Sequence, residues 1–209
     1  MIEDSARRLH WMSGHADEDA GLVRAMQRGD KGALLALAQP RFHDLQAQFG
    51  LSHWYFIAPD RRVVLRVHQP ERAGDTINRK TLLEAERDGH MTSGLELGPN
   101  ATFTLRHVMP WRVDGRLIGY IEMGMEIETF ARHIKRLTGL EVLTAVHKSF
   151  TDEAAFAHGK KDLGLSGNWN DYRDIAVLGQ SLAQVPAALV GHWQAFVGGD
   201  RRGVFDLLE

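Results

Sequence analysis

The sequence contains no cysteine in its 209 residues. That removes disulfide scaffolds, thiol nucleophiles, iron–sulfur clusters and cysteine-based zinc sites together. No apolar run approaches the ~18–20 residues of a membrane-spanning helix. The opening MIEDSARRL has no apolar core and is not expected to act as a signal peptide. Charge of one sign is also lacking. The net charge is −2 with both signs interspersed, whereas a nucleic-acid binder needs a clustered basic excess. Serines are few, and none sits at a Gly-flanked nucleophile turn. GxSxG, P-loop and HExxH patterns are absent. Eleven histidines are present, but neither His43 with His53 nor His107 with His133 has a spacing that demands a metal. No one histidine is singled out as a haem ligand. The expectation is therefore no cofactor, no metal and no catalytic residue.

What remains is an ordinary globular composition, 44% hydrophobic and 25% charged, sufficient for one domain with a sizeable core or one with an added lobe. Residues 1–50 read as helical. Asp17-Glu18-Asp19 offers a negatively charged start, and Leu22, Met26, Leu34, Leu35, Leu37, Phe42, Leu45 and Phe49 recur at helical spacing. Gly29-Asp30 and Gln39-Pro40 predict interruptions, and Gly50 a stop.

From residue 51 the period changes to two. Strands are expected over 53–57, 63–68, 93–97, 102–110, 117–125 and 141–147, with helices over 77–89 and 126–137. The order, helices and then an antiparallel sheet of about five strands, predicts an α+β fold. Residues 149–209 lose the rhythm. The apolar stretch 174–189, broken at Pro186, reads as a helix in a mostly helical C-terminal lobe, and Gly198-Gly199-Asp200 as a turn. The expected divisions are 1–50, 51–148 and 149–209.

Splitting the strands by parity separates two faces. Trp54, Phe56, Leu65, Val67, Phe103, Leu105, Ile121 and Met123 form an apolar set for packing against the N-terminal helices. His53, Tyr55, Arg66, His68, Thr104, Arg106, Tyr120 and Glu122 form a polar set. Either that face is solvated, the default for an antiparallel sheet, or it is a ligand pocket closed by the 69–100 insertion. Arginines there suit a carboxylate or phosphate. Glu96 and Glu122 either pair with arginines or recognise an amine. With both in the pocket an amino acid or amine fits; with the arginines dominant, an organic acid.

Four stretches carry a family resemblance: Leu65–Arg79 (LRVHQPERAGDTINR), Gly94–Gly98, Leu105–Pro110 and Ile118–Gly124 (IGYIEMG). In this order and spacing they resemble the Cache-type, PAS-like sensor domains of bacterial chemoreceptors, sensor histidine kinases and diguanylate cyclases, above all the double sensory domain of two-component kinases. The resemblance implies an extracytoplasmic ligand-binding domain whose transmembrane helices lie outside this chain, with an N-terminal helix that could pair two copies. On this basis Tyr55, Arg66, His68, Arg79, Arg106 and Glu122 are the expected ligand-binding residues for a small carboxylate or amino-acid-like molecule. Asp75 is expected to cap a helix starting near Thr76, with Arg79 in its first turn. Two alternatives remain: a small enzyme acting on an organic acid with His68 or His53 as base, and a domain that reads a protein partner.

Overall fold

A computed structural model describes residues 18–182 together with Leu9, Trp11, Met12, Ala16 and Val185. The chain divides into two compact units, 1–130 and 131–209.

In the first unit, helix α1 (Ala20–Arg28) starts where Asp19 accepts hydrogen bonds from the backbone N–H groups of Gly21 and Leu22. It stops at Gly29, which adopts the left-handed conformation that a non-glycine residue resists. Asp30 caps α2 (Lys31–Phe49), and Gly50 ends it. The break at Gly29-Asp30 is as expected. The break at Gln39-Pro40 is not: Pro40 lies inside a continuous α2. Leu34, Ala38 and Phe42 are buried on either side of it, so packing holds the helix through the one missing N–H.

Five antiparallel strands follow: β1 (His53–Ile57), β2 (Val63–Arg66), β3 (Thr92–Leu97), β4 (Phe103–Val113) and β5 (Arg116–Glu126). Their spatial order is β2-β1-β5-β4-β3. Asp114-Gly115, both at positive φ, turn β4 into β5, the chemistry of a tight two-residue hairpin. The resulting α+β architecture agrees with the sequence reading. The apolar parity set faces α1 and α2: Trp54, Phe56, Leu65, Val67, Leu105, Ile121 and Met123 share one core with Leu22, Met26, Leu34 and Phe42. Trp111 completes it, fully buried. The insertion supplies helix α3 (Lys80–Asp88), which presses Leu82 and Ala85 onto the opposite face against Ile57, Val108 and Tyr120.

Helix α4 (Ile127–Thr138) follows β5 with no intervening residue and carries the chain into the second unit. There β6 (Leu143–His147) pairs antiparallel with β7 (Ile175–Gln180), and α5 (Glu153–Leu163) lies between them in sequence. The expected helix over 174–189 is therefore a strand in its first part. Ile175–Leu178 are all buried. A short, continuously apolar run reads alike as buried helix or buried strand until its partner is known. The Pro186 break and the turn at 198–200 fall outside the described residues.

Gly119 sets the fit of α1 on the sheet. A Cβ there would stand 2.3 Å from the Ile57 carbonyl oxygen and 2.5 Å from Met26 Cε. The Met26 methyl can swing aside, but the backbone of β1 cannot yield that much. Gly119→Ala is expected to lower stability by about 1–3 kcal/mol, read as a fall in the urea midpoint at unchanged m-value.

Candidate functional site

The polar parity set does assemble on one face, and that face is buried rather than solvated. Register explains the convergence. Tyr55 stands opposite Arg66 on one side and Glu122 on the other, and Arg106 stands opposite Gly124. Covered by the insertion, Glu122 is 0% exposed and Arg106 2%. Carboxylates at such depth persist only with partners. Arg106 Nη1 donates to Glu122 Oε1 at 2.8 Å, and Arg79 Nη2 donates to its two oxygens at 2.5 and 2.7 Å. Burial works against the Arg79 charge, but Glu122, then Tyr55 and Glu96, hold its pKa above the usual arginine value.

Glu96 is the second carboxylate. Its Oε1 accepts from the Thr81 backbone N–H at 2.8 Å. Its Oε2 faces Arg106 Nε at 3.4 Å and Arg79 Nε at 3.9 Å. These are ion-pair contacts without hydrogen bonds: both Nε–H groups and Glu96 Oε2 are buried with no hydrogen-bond partner. Two donors thus converge on one point that a better-placed acceptor could occupy.

Arg66 is placed differently from the expectation. Its fork closes on Asp75 with two contacts of 2.7 Å, and Nη1 also donates to the Arg72 carbonyl at 2.9 Å. Asp75 is therefore not a helix cap. Residues 74–77 run back along the start of β2: the Gly74 N–H donates to the Val63 carbonyl, the Val63 N–H donates to the Asp75 carbonyl, and an isolated bridge joins Arg62 and Thr76. Helix α3 starts later, at Lys80, with Arg79 at the cap position and no side-chain cap bond. Arg72 is exposed. The guanidinium carbons of Arg66 and Arg79 stand 5.2 and 5.0 Å from the centre of the Tyr55 ring, both within cation–π range.

His68, His53 and Tyr55 form an aromatic corner, with His68 centred 4.6 Å from His53 and 5.0 Å from Tyr55. Burial, with Arg66, Arg106 and Arg72 nearby, brings the His68 pKa down to about 4. The Trp54 N–H donates to its Nδ1 at 3.3 Å. Burial, His68 and the arginines also push His53 well below its ordinary value. The 3.7 Å contact between His53 Nε2 and Glu126 Oε1 therefore joins a neutral imidazole to a carboxyl group at neutral pH and is no salt bridge.

Glu126, on the same face as Glu122 at the end of β5, was not among the expected residues. Extending that strand by one residue would have included it. Burial, reinforced by Glu128, raises its pKa to about 7, with Arg106, Thr104 and Thr102 pulling the other way.

Two other concavities are less convincing sites. In the first unit a cleft lined by Leu95, Leu105, Met125, Ile127 and Phe130 has about 10 Å³ of interior, no more than one water occupies. In the second unit a cleft of about 340 Å³ is polar, but Lys160 donates to the Ser166 carbonyl and Asp171 accepts from the Asn168 N–H. Among the described residues no group of three or more His, Asp or Glu could hold a metal ion, and no helix is long and apolar enough to cross a membrane.

Glu126 gives the face a pH signature. Its native pKa lies above the ordinary 4.5, so the folded state holds the proton longer than the unfolded chain. Its contribution to stability is full below about pH 4.5 and is lost as pH rises through about 7. The loss is about 3 kcal/mol. His53 and His68 act in the opposite sense, losing stability as pH falls below 6.5. Denaturant titrations from pH 5 to 8 are expected to show the difference between Glu126→Gln and the wild type growing in the variant's favour as pH rises. A pH-independent difference would refute the assignment.

The fold has counterparts among solved structures. The domain of a sensory box/GGDEF family protein from Vibrio parahaemolyticus superposes with a TM-score of 0.54 at 14% identity, covering 70% of this chain and 63% of that one. The extracellular domain of the histidine kinase vpHK1S-Z8 gives 0.52 at 16%, covering 71% and 60%. The Escherichia coli DcuS sensor domain gives 0.53 at 13%, covering 64% and 97%. This chain thus spans about three fifths of the length of the first two. At such identities the likeness is one of fold. No curated protein matches the sequence at a significant level. The family model described as the double sensory domain of two-component sensor kinases matches residues 1–167, so the chain belongs to that family.

Proposed function

We propose that this chain is the ligand-binding sensor domain of a signal-transduction receptor, and that it binds a small carboxylate-bearing molecule, anionic or zwitterionic, on the buried polar face of the first unit. One observation carries the assignment of the site. The Nε–H groups of Arg79 and Arg106 converge without a hydrogen-bond acceptor. A ligand carboxylate entering there would accept from both, in the planar geometry guanidinium groups favour. Glu96 would give up its long contacts and keep its bond from Thr81. Tyr55 and His68 would pack on the ligand body, Glu122 would hold the arginine pair in place, and Arg66, closed on Asp75, would brace the insertion.

The proposal extends to placement. An extracytoplasmic position, with membrane helices and an output module supplied by other parts of the receptor, accords with the family. The output module is a kinase, a chemoreceptor or a cyclase. Pairing of two copies through the N-terminal helix belongs to the same proposal; residues 1–17 lie mostly outside the described ones. Of the alternatives, a catalytic role for His53 or His68 is the less favoured, because both imidazoles are tied into the ring cluster.

Thermal-shift titration tests the site. Mono- and dicarboxylates, amino acids, amines lacking a carboxyl group, and phosphate form the panel. A ligand at a hundred times its Kd adds about 2.7 kcal/mol of apparent stability. Carboxylate-bearing compounds are expected to give a shift, and Arg79→Lys to weaken it at least about tenfold by losing the planar fork while keeping the charge. A flat panel, or an Arg79→Lys variant that binds as well as the wild type, would refute this reading.

A further inference from the structure

The polar face carries one more carboxylate than it can pair. Arg66 is matched by Asp75, and Arg79 and Arg106 by Glu122 and Glu96. Glu126 is left over. It is 8% exposed. Its Oε1 receives long hydroxyl contacts from Thr104 at 3.3 Å and Thr102 at 3.5 Å, and meets His53 Nε2 at 3.7 Å. Its Oε2 is buried without a hydrogen-bond partner. Among the described residues no Lys or Arg lies within ion-pair distance of it. Arg106 is the nearest cation in effect, but its three nitrogens are turned to Glu122, Glu96 and Thr104. Among the described residues, the other titratable groups that act on Glu126 are His53 on β1, held neutral, and Glu128 on α4, which repels it. Gly124, between Glu122 and Glu126, leaves the floor without a side chain, and a Cβ there would strike Thr104 and His53.

We propose that Glu126 is the anchor for a cationic nitrogen of the sensed molecule, an ammonium group received by its unpartnered Oε2, so that the ligand is an amine-bearing carboxylate. This rests on the ligand-binding reading above and narrows it from any carboxylate to a zwitterion. A simple organic acid would satisfy the arginines and leave Glu126 without a partner. A zwitterion, itself net neutral, offers its carboxylate to Arg79 and Arg106 and gives Glu126 the cation it lacks.

The assignment has a consequence that a structural role would not produce. An ammonium group needs Glu126 ionised, whereas the empty site holds a proton at and below neutral pH. Binding must expel that proton, so affinity should rise about tenfold between pH 6 and pH 8. Isothermal titration of the domain with the twenty standard amino acids and their des-amino carboxylic acids tests this, at both pH values and in buffers of differing ionisation enthalpy. The expected result is an amino acid that binds with release of nearly one proton at pH 6, a des-amino acid at least about thirtyfold weaker, and a folded Glu126→Gln variant in which both the affinity and the proton release are lost. Equal binding of the des-amino acid, or no proton release by the wild type, overturns the Glu126 assignment and leaves the carboxylate site standing. The wild-type proton count decides this even if the variant does not fold. If neither class of compound binds, the carboxylate site falls, and the Glu126 assignment with it.

Discussion

The carboxylate of Glu122 is the point on which the first unit turns. It sits in the middle of the central strand with no access to water, where an unpaired charge would cost several kcal/mol. One guanidinium reaches it from the neighbouring strand and one from the residue that precedes α3. The second contact does more than neutralise charge. It ties the insertion to the centre of the sheet and fixes where α3 begins, so Leu82 and Ala85 land on Ile57, Val108 and Tyr120. The insertion is held down because Arg79 cannot leave without taking two hydrogen bonds from a carboxylate that water does not reach.

The two faces of the sheet carry opposite kinds of energy. Toward α1 and α2 lies a dry core around Trp54, Phe56 and Trp111, where truncating any one large side chain costs about 3–5 kcal/mol. Toward the insertion lies a network of ions beside the smaller apolar cluster under α3. Such networks rarely stabilise more than apolar packing of the same volume. The apolar face therefore supports the fold while the ionic face stays near balance, and a face near balance is one that a small molecule can tip.

Much of this was legible from alternation alone. The parity split separated the core residues from Tyr55, Arg66, His68, Arg106 and Glu122 because strands place every second side chain on one side; Arg79, which lies on no strand, entered through the family resemblance. Partner choice was not legible. Asp75 read as a helix cap because Gly74-Asp75-Thr76 has the composition of a helix start, yet it answers a guanidinium nine residues earlier across a turn. Glu126 was missed because Met125 looked like the end of the strand, and only the pairing of Thr104 with Glu126 shows that the ladder continues. Pro40 and the run 175–180 were misread for a shared reason. Local preference favoured one structure, and burial against a distant partner, invisible in a single sequence, imposed another.

The junction of β5 and α4 has no linker. Glu126 is the last residue of the strand and Ile127 the first of the helix. Between most elements a few loop residues take up slack, so a displacement at one end fades before it reaches the other. Here there is none to take it up. A peptide plane rotated at Glu126 is handed on directly to the first turn of α4, whose far end lies in the second unit. Mechanically the junction is a crank, and it begins at the carboxyl group that stands without a cation.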